Sequence, residues 1–177
     1  MIEFDEYKIR KLETKDVSRL FDLIDSNRDR LTAYLPITAR ENESVEMTRS
    51  YIERKKNEAR QRTVFTCVIE DQPKQAFVGV MVIKNIDWLT GDCEIGYFID
   101  RGHESLGIIS RAVNAVAEHC FSKLRLNKIS IVTAPENIGS IRVAEKNGFV
   151  KTAKVEDGHT DLDGNKHDVF RYEKLRK

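Results

Sequence analysis

Two spacings of apolar residues alternate along this chain, one of period two and one of helical period. Tyr7-Lys8-Ile9-Arg10-Lys11-Leu12 alternates polar and apolar and predicts an opening strand. Thr14 is the predicted N-cap of a helix whose stripe is Val17, Leu20, Phe21, Leu23 and Ile24. Residues 27–40, with Leu31, Tyr34, Leu35, Pro36 and Ile37, predict a short helix that ends before Pro36 and passes into a loop. Ser44 is the predicted cap of a long helix over 44–60, with Val45, Met47, Thr48, Tyr51, Ile52 and Lys55 on its partly apolar side. Residues 63–70 and 76–83 predict a β-hairpin around the turn 71–75. Gly79 inside the return strand marks a bulge or close packing.

The most regular stretch runs from Gly91 to Phe149. Residues 92–99 are rich in aromatic and β-branched side chains and predict a strand. A loop over 100–107 leads into a helix whose apolar positions are Ile108, Ile109, Ala112, Val113, Val116, Ala117, Cys120 and Phe121. Residues 128–133 predict a strand, parallel to the first because a helix carries the crossover. A second helix begins at Asn137 and is closed by Asn147-Gly148. A strand over 150–155, a polar connection over 157–165 and a last strand over 167–174 complete the pattern. Nothing in it suggests repeats, low-complexity segments or linkers, so one domain over residues 1–177 is expected.

Composition narrows the function. The 177 residues carry 30 Lys and Arg against 29 Asp and Glu, a net charge of +1, so no global field favours direct nucleic-acid or membrane binding. The basic run from Arg49 to Arg62 is broken by Glu53 and Glu58 and reads as a solvated helix face. Cys67, Cys93 and Cys120 are widely spaced and read as buried free thiols in a reducing compartment. The sequence has no CxxC pair and no HExxH, and no metal is expected. Asp157, Asp161, Asp163 and Asn165 lack calcium-loop spacing and read as turn chemistry. With no apolar run of about 18 residues and no signal peptide after Met1, the cytoplasm is the expected location.

The loop over 100–107 is the candidate binding element. A strand-to-helix loop presents free N–H groups at the positive end of the helix dipole, where a phosphate or pyrophosphate can sit. Gly107 allows close approach and Ser110 adds a hydroxyl one turn in. On the loop alone, an ordinary βα connection with a glycine at its helix start is the favoured reading, since one glycine is a weak signal.

Three blocks together resemble the GNAT superfamily of acyl-CoA-dependent N-acetyltransferases. They are Glu94-Ile95-Gly96-Tyr97-Phe98-Ile99, then Glu104-Ser105-Leu106-Gly107-Ile108-Ile109-Ser110, then Asn137-Ile138-Gly139-Ser140 through Asn147-Gly148-Phe149. Their order and spacing are closest to the RimJ/RimL-like branch, which acetylates ribosomal-protein N-termini. The resemblance implies an α/β (α+β) fold whose mixed, mostly antiparallel central sheet is splayed at its middle and flanked by helices. It implies acetyl-CoA as cosubstrate, with the pyrophosphate on a loop of the form Gln/Arg-x-x-Gly-x-Gly/Ala. Glu104 stands at the Gln/Arg position, Gly107 at the central glycine and Ile109 at the last small residue. Ser105 and Leu106 stand where related members have Gly and Lys, so a cation is missing from the loop and Glu104 adds a negative charge.

The same resemblance places pantetheine along Tyr97, Phe98 and Ile99, whose strand end offers an N–H to the thioester oxygen. It places Asn137 on pantetheine and Ser140 beside the leaving sulfur, although Asn137 also suits a plain N-cap. Residues 27–40 would form one wall of the acceptor cleft, or pack in the core. Glu94 is the candidate general base, with a structural salt bridge as its alternative. His159, on the expected connection, is the next candidate base. The expected reaction is direct acetylation of an amine, with a protein N-terminus as acceptor. A small-molecule amine (a polyamine, amino sugar or drug) or a non-catalytic CoA-binding or protein-interaction module are the alternatives, and a homodimer is compatible with all of them.

Overall fold

Ile2–Phe4 (β1) and Tyr7–Lys11 (β2) open the chain as an antiparallel pair. The computed structural model describes residues 1–161 and 164–177, with only the backbone of Ala33 and Tyr34. The expectations attached to the Tyr34 side chain and to Leu162 and Asp163 therefore lie outside the described residues. The chain divides into two compact units, Met1–Val82 with Tyr97–Leu106, and Ile83–Gly96 with Gly107–Lys177. Among the described residues, eight strands form a mixed, mostly antiparallel sheet.

In the first unit the strand order is β1-β2-β3-β4, where β3 is Phe65–Asp71 and β4 is Ala76–Asp87. β2 and β3 are antiparallel, with Ile9 opposite Ile69. Four helices follow or separate these strands: Val17–Asp25 (α1), Arg28–Tyr34 (α2), Pro36–Arg40 (α3) and Val45–Arg60 (α4). Leu20, Ile24, Leu31, Ile52, Val68 and Phe77 meet in its core. The α1 stripe is the one expected, because apolar positions three and four apart bury a single face.

Three expectations fail in this unit. Thr14 is not the cap before α1. Residues Thr14–Asp16 form a 3-10 turn capped by Glu13, and Asp16 reaches back to accept the Glu13 N–H at 2.8 Å. The Thr14 hydroxyl instead donates to Glu53 and accepts from Lys56, each at 2.6 Å. Pro36 opens α3 rather than a loop, since a first helical residue has no need of an N–H. On α4 the buried residues are Thr48, Tyr51 and Ile52, whereas Val45 and Met47 are exposed. Ser44 caps α4 as expected, its side chain accepting the Met47 N–H at 3.1 Å.

The first unit also encloses a charged cluster. Asp16 is fully buried and takes Arg10 at 2.6 Å and Arg19 at 2.9 Å, while Glu70 takes the same two arginines at 2.8 Å and 2.6 Å. Both guanidinium groups lie over the Phe77 ring, at 5.2 and 4.3 Å from its centroid. Burial pushes the Asp16 carboxyl up, but the bonds from Arg10, the Glu13 N–H and Arg19 outweigh it and leave the group below the ordinary carboxylate range.

In the second unit the order is β4-β5-β6-β8-β7. Here β5 is Asp92–Ile99, β6 Lys128–Thr133, β7 Val150–Thr160 and β8 Lys166–Leu175. β5 and β6 are parallel, as the helical crossover requires, and their register ends at Glu94 opposite Ser130, although β6 continues to Thr133. β6 pairs antiparallel with β8 from Lys128↔Leu175 to Thr133↔Phe170. Helix α5, Ile108–Ser122, buries all eight expected apolar positions. Helix α6, Ile138–Lys146, starts at Asn137 and ends at Asn147, with Gly148 in the left-handed region.

The connection expected over 157–165 is shorter than predicted, because β7 continues to Thr160 and pairs His159 with His167 and Thr160 with Lys166. The register of β7 on β8 shifts between Lys151 and Ala153 and again between Val155 and His159. The three cysteines form no disulfide; Cys93 and Cys120 are buried, whereas Cys67 is half-buried. Burial still pushes the Cys67 thiol up to about 11. Among the described residues, no helix is long and apolar enough to cross a membrane.

Candidate active site

In the first unit the end of β5 approaches β4 closely. A Cβ on Gly79 would stand 2.6 Å from the Phe98 carbonyl oxygen, so the glycine marks close packing. The Phe98 side chain packs against the core of that unit. The Asp100 N–H donates to the Val78 carbonyl at 2.8 Å.

Asp100 then organises the turn Arg101–His103. Its carboxylate accepts the Gly102 N–H at 3.0 Å, meets His103 Nδ1 at 2.7 Å and accepts the Asn27 amide at 2.8 Å. Burial pushes this carboxyl up, and the bonds from Asn27 and His103 bring it below its ordinary range. Asn27 is only 1% exposed. Its carboxamide also donates to the Leu23 carbonyl at 2.9 Å and accepts the Arg101 N–H at 3.0 Å.

Arg30 on α2 reaches the same segment. It donates to the Ile99 carbonyl at 3.3 Å and to Asn27 Oδ1 at 3.4 Å, and its other nitrogen is ion-paired with Glu104. The negative charge expected at Glu104 is therefore neutralised by a residue 74 positions away. Ser105 follows in the left-handed region with φ 60°, and Leu106 is exposed.

In the second unit Gly107 is the N-cap residue of α5, with φ 72° and no side-chain capping hydrogen bond. Its carbonyl accepts the Arg111 N–H at 3.1 Å, and a Cβ on it would stand 3.0 Å from Arg111 Nη1. A guanidinium thus lies at the start of α5, although the loop has no lysine. Ile108 and Ile109 point into the core and leave only their backbone to a ligand. The Ser110 hydroxyl accepts the Asn147 amide at 3.1 Å, which ties the first turn of α5 to the end of α6.

Asn137 caps α6, its Oδ1 accepting the Ser140 N–H at 3.0 Å. Glu94 on β5 is ion-paired with Lys84 at 3.0 Å and accepts the Asn85 amide at 3.1 Å. The salt-bridge alternative for Glu94 is what the structure contains. His159 lies in β7 rather than in a connection, exposed and 6.4 Å from the His167 ring. The polar turn is held by Asp161, which accepts from the Asn165 N–H at 2.9 Å and from the Asn165 amide at 3.1 Å, and meets His167 Nε2 at 2.9 Å. Among the described residues there is no group of three or more His, Cys, Asp or Glu that could hold a metal ion.

The expected site residues thus fall in both units. Tyr97, Phe98, Ile99, Glu104, Ser105 and Leu106 belong to the first, and Glu94, Gly107 to Ser110, Asn137 and Ser140 to the second. Sequence reasoning singled out residues 27–40 and the loop over 100–107 but not the bonds that tie Asn27 to Asp100 and Arg30 to Glu104, and it passed over Arg111. Arg111 left a signal, since four residues after Gly107 places it one helical turn above the loop.

The model of the family described as "Acetyltransferase (GNAT) domain" matches residues 7–150. The chain belongs to the GNAT acetyltransferase family. Membership makes it an acyltransferase and accounts for the three blocks read in the sequence. Among relatives of this GNAT protein is the Bacillus subtilis protein named "Putative ribosomal N-acetyltransferase YdaF". It is 31% identical over 171 residues, which cover 96% of this chain and 91% of that protein. The ribosomal-protein-serine acetyltransferase of Escherichia coli is 36% identical over 73 residues, 41% of each chain. Among solved structures, RimL, the ribosomal L7/L12 alpha-N-protein acetyltransferase in complex with coenzyme A, superposes with a TM-score of 0.89. The match covers 97% of this chain and 95% of that one at 22% identity, and so shows the shared fold.

Proposed function

We propose that this GNAT protein moves the acetyl group of acetyl-CoA directly to the N-terminal α-amine of a protein, of the ribosomal-protein type, in the cytoplasm. The observation that carries the reading is the match along nearly the full length of YdaF, whose name gives it a ribosomal substrate. The local geometry fits the cosubstrate. Gly107, a residue without a side chain, is the N-cap of α5, and Arg111 Nη1 lies 3.0 Å from where a Cβ on the glycine would be. The amides of Leu106 to Ser110 would hold the pyrophosphate, as helix N-termini hold anions.

The residues divide the chemistry among them. The backbone of Tyr97 to Ile99 would carry pantetheine and polarise the thioester carbonyl. Asn137 spends its Oδ1 on α6, so its Nδ2 is the group for a pantetheine carbonyl. The amine nitrogen attacks the carbonyl carbon, the C–S bond breaks, and the sulfur leaves as thiolate. Ser140 would give that thiolate a hydrogen bond or a proton. Glu94 would take the amine proton through water. A free α-amine with a pKa near ~7.7–8.0 asks little of such a base, whereas a lysine ε-amine near ~10.4 asks more.

A polyamine acceptor is the second reading. It is favoured by a 28% identical match over 92 residues to the spermidine N(1)-acetyltransferase of Vibrio cholerae. Thiol release from acetyl-CoA separates the two, with peptides of free N-terminus, lysine peptides of blocked N-terminus, and spermidine as acceptors. Free peptides are expected to react, and faster turnover of spermidine or of blocked peptides sinks the assignment. In the same assay Ser140→Ala should lower kcat by about 10- to 100-fold, with acetyl-CoA affinity retained. Glu94→Gln should lower kcat by at least about 10-fold, and an unaltered rate reduces Glu94 to its ion pair with Lys84.

A further inference from the structure

We infer that Arg30 is a positioning residue for acetyl-CoA binding, and that it acts by masking Glu104. This rests on the acetyl-CoA reading above. One guanidinium joins three parts of the first unit: the Ile99 carbonyl that ends β5, the buried carboxamide of Asn27, and the Glu104 carboxylate. Asn27 in turn fixes Asp100 and the Arg101 N–H. The backbone from Ile99 to Glu104 is thereby held from α2, a short helix far away in sequence.

Charge gives the arrangement its consequence. Glu104 precedes Gly107 by three residues, so the chain keeps it within about 10 Å of the α5 start. That is close to the Debye length of ~8 Å at physiological salt, so an unpaired carboxylate there acts on a bound pyrophosphate. The loop itself offers no lysine to offset it, since Leu106 stands at that position. Arg30 cancels the charge and also turns the carboxylate toward α2. Its side chain is 29% exposed and that of Glu104 46%, so the pair remains within reach of solvent and of salt.

Calorimetric titration of acetyl-CoA tests this with wild type, Arg30→Ala, Glu104→Gln and the double variant, at low and high salt. Arg30→Ala should bind about 10-fold more weakly at low salt, with a smaller loss at high salt. Adding Glu104→Gln should restore affinity to within about 3-fold of wild type, because the charge that needed masking is gone. In turnover the Arg30→Ala loss should appear in the KM for acetyl-CoA. A double variant as weak as Arg30→Ala overturns the inference, and so does a loss that salt leaves unchanged. Should Arg30→Ala fail to fold, Glu104→Gln alone decides: about 3-fold tighter binding supports masking, and equal or weaker binding refutes it. Wild type that does not bind acetyl-CoA defeats the functional reading itself. Wild-type binding with insensitive variants defeats only the role of Arg30.

Discussion

Asp16 in the first unit and Val116 in the second are both withdrawn from water, at 0% and 2% exposure, and opposite physics keeps them there. Asp16 is held by Arg10 and Arg19, which Glu70 balances. Val116 sits in the α5 stripe among residues that need only shape. Burying a charge is costly unless its partners are complete, whereas burying a methyl group is favourable wherever it fits. The first unit thus adds a few directional contacts to its apolar core, whereas α5 in the second is specified by the repeat of its apolar positions.

The largest expected effect follows from removing one member of the charged cluster. Asp16→Asn leaves two arginines facing one carboxylate and should cost about 3–5 kcal/mol in urea unfolding. The Asp16 carboxyl lies below its unfolded value of 3.8, so its contribution is fully present above that pH and is lost as pH falls through the folded value. Wild type should lose stability below about pH 4 more steeply than Asp16→Asn does. Val116→Ala should cost about 2 kcal/mol, with no pH dependence over the same acid range. If Val116→Ala costs more than Asp16→Asn, the contrast between the units is wrong. Ser44→Ala is the finest test, since α4 begins on a side-chain cap and α5 does not. A loss of about 1 kcal/mol is expected by thermal or urea unfolding, and no loss would mean that α4 is held by its buried face rather than by its cap.

The same contrast explains which parts of the fold could be read in advance. The α5 stripe and strands β5 and β6 were legible because apolar periodicity is written locally. Pro36 misled, because a proline that stops one helix is equally suited to start the next. Asp157 and Gly158 suggested a turn. In the strand Gly158 serves packing instead, since a Cβ there would meet a Val169 methyl at 2.6 Å. The position of Gly107 at the start of α5 was legible, and the glycine is the N-cap there with φ 72°. The electrostatics of the loop were not visible, because the neutralising Arg30 lies 74 residues from Glu104 and no local pattern links them.

The broken register of β7 bears on crowding and solubility. β7 is the outermost strand of the sheet order, with one row of peptide groups turned away from β8. Such a row is a template on which another chain can add and propagate a fibril. A strand copying β7 would find its spacing interrupted between Lys151 and Ala153 and again before His159. Lateral growth would stall after a few residues, so this long exposed strand protects the protein from templated aggregation by its irregularity.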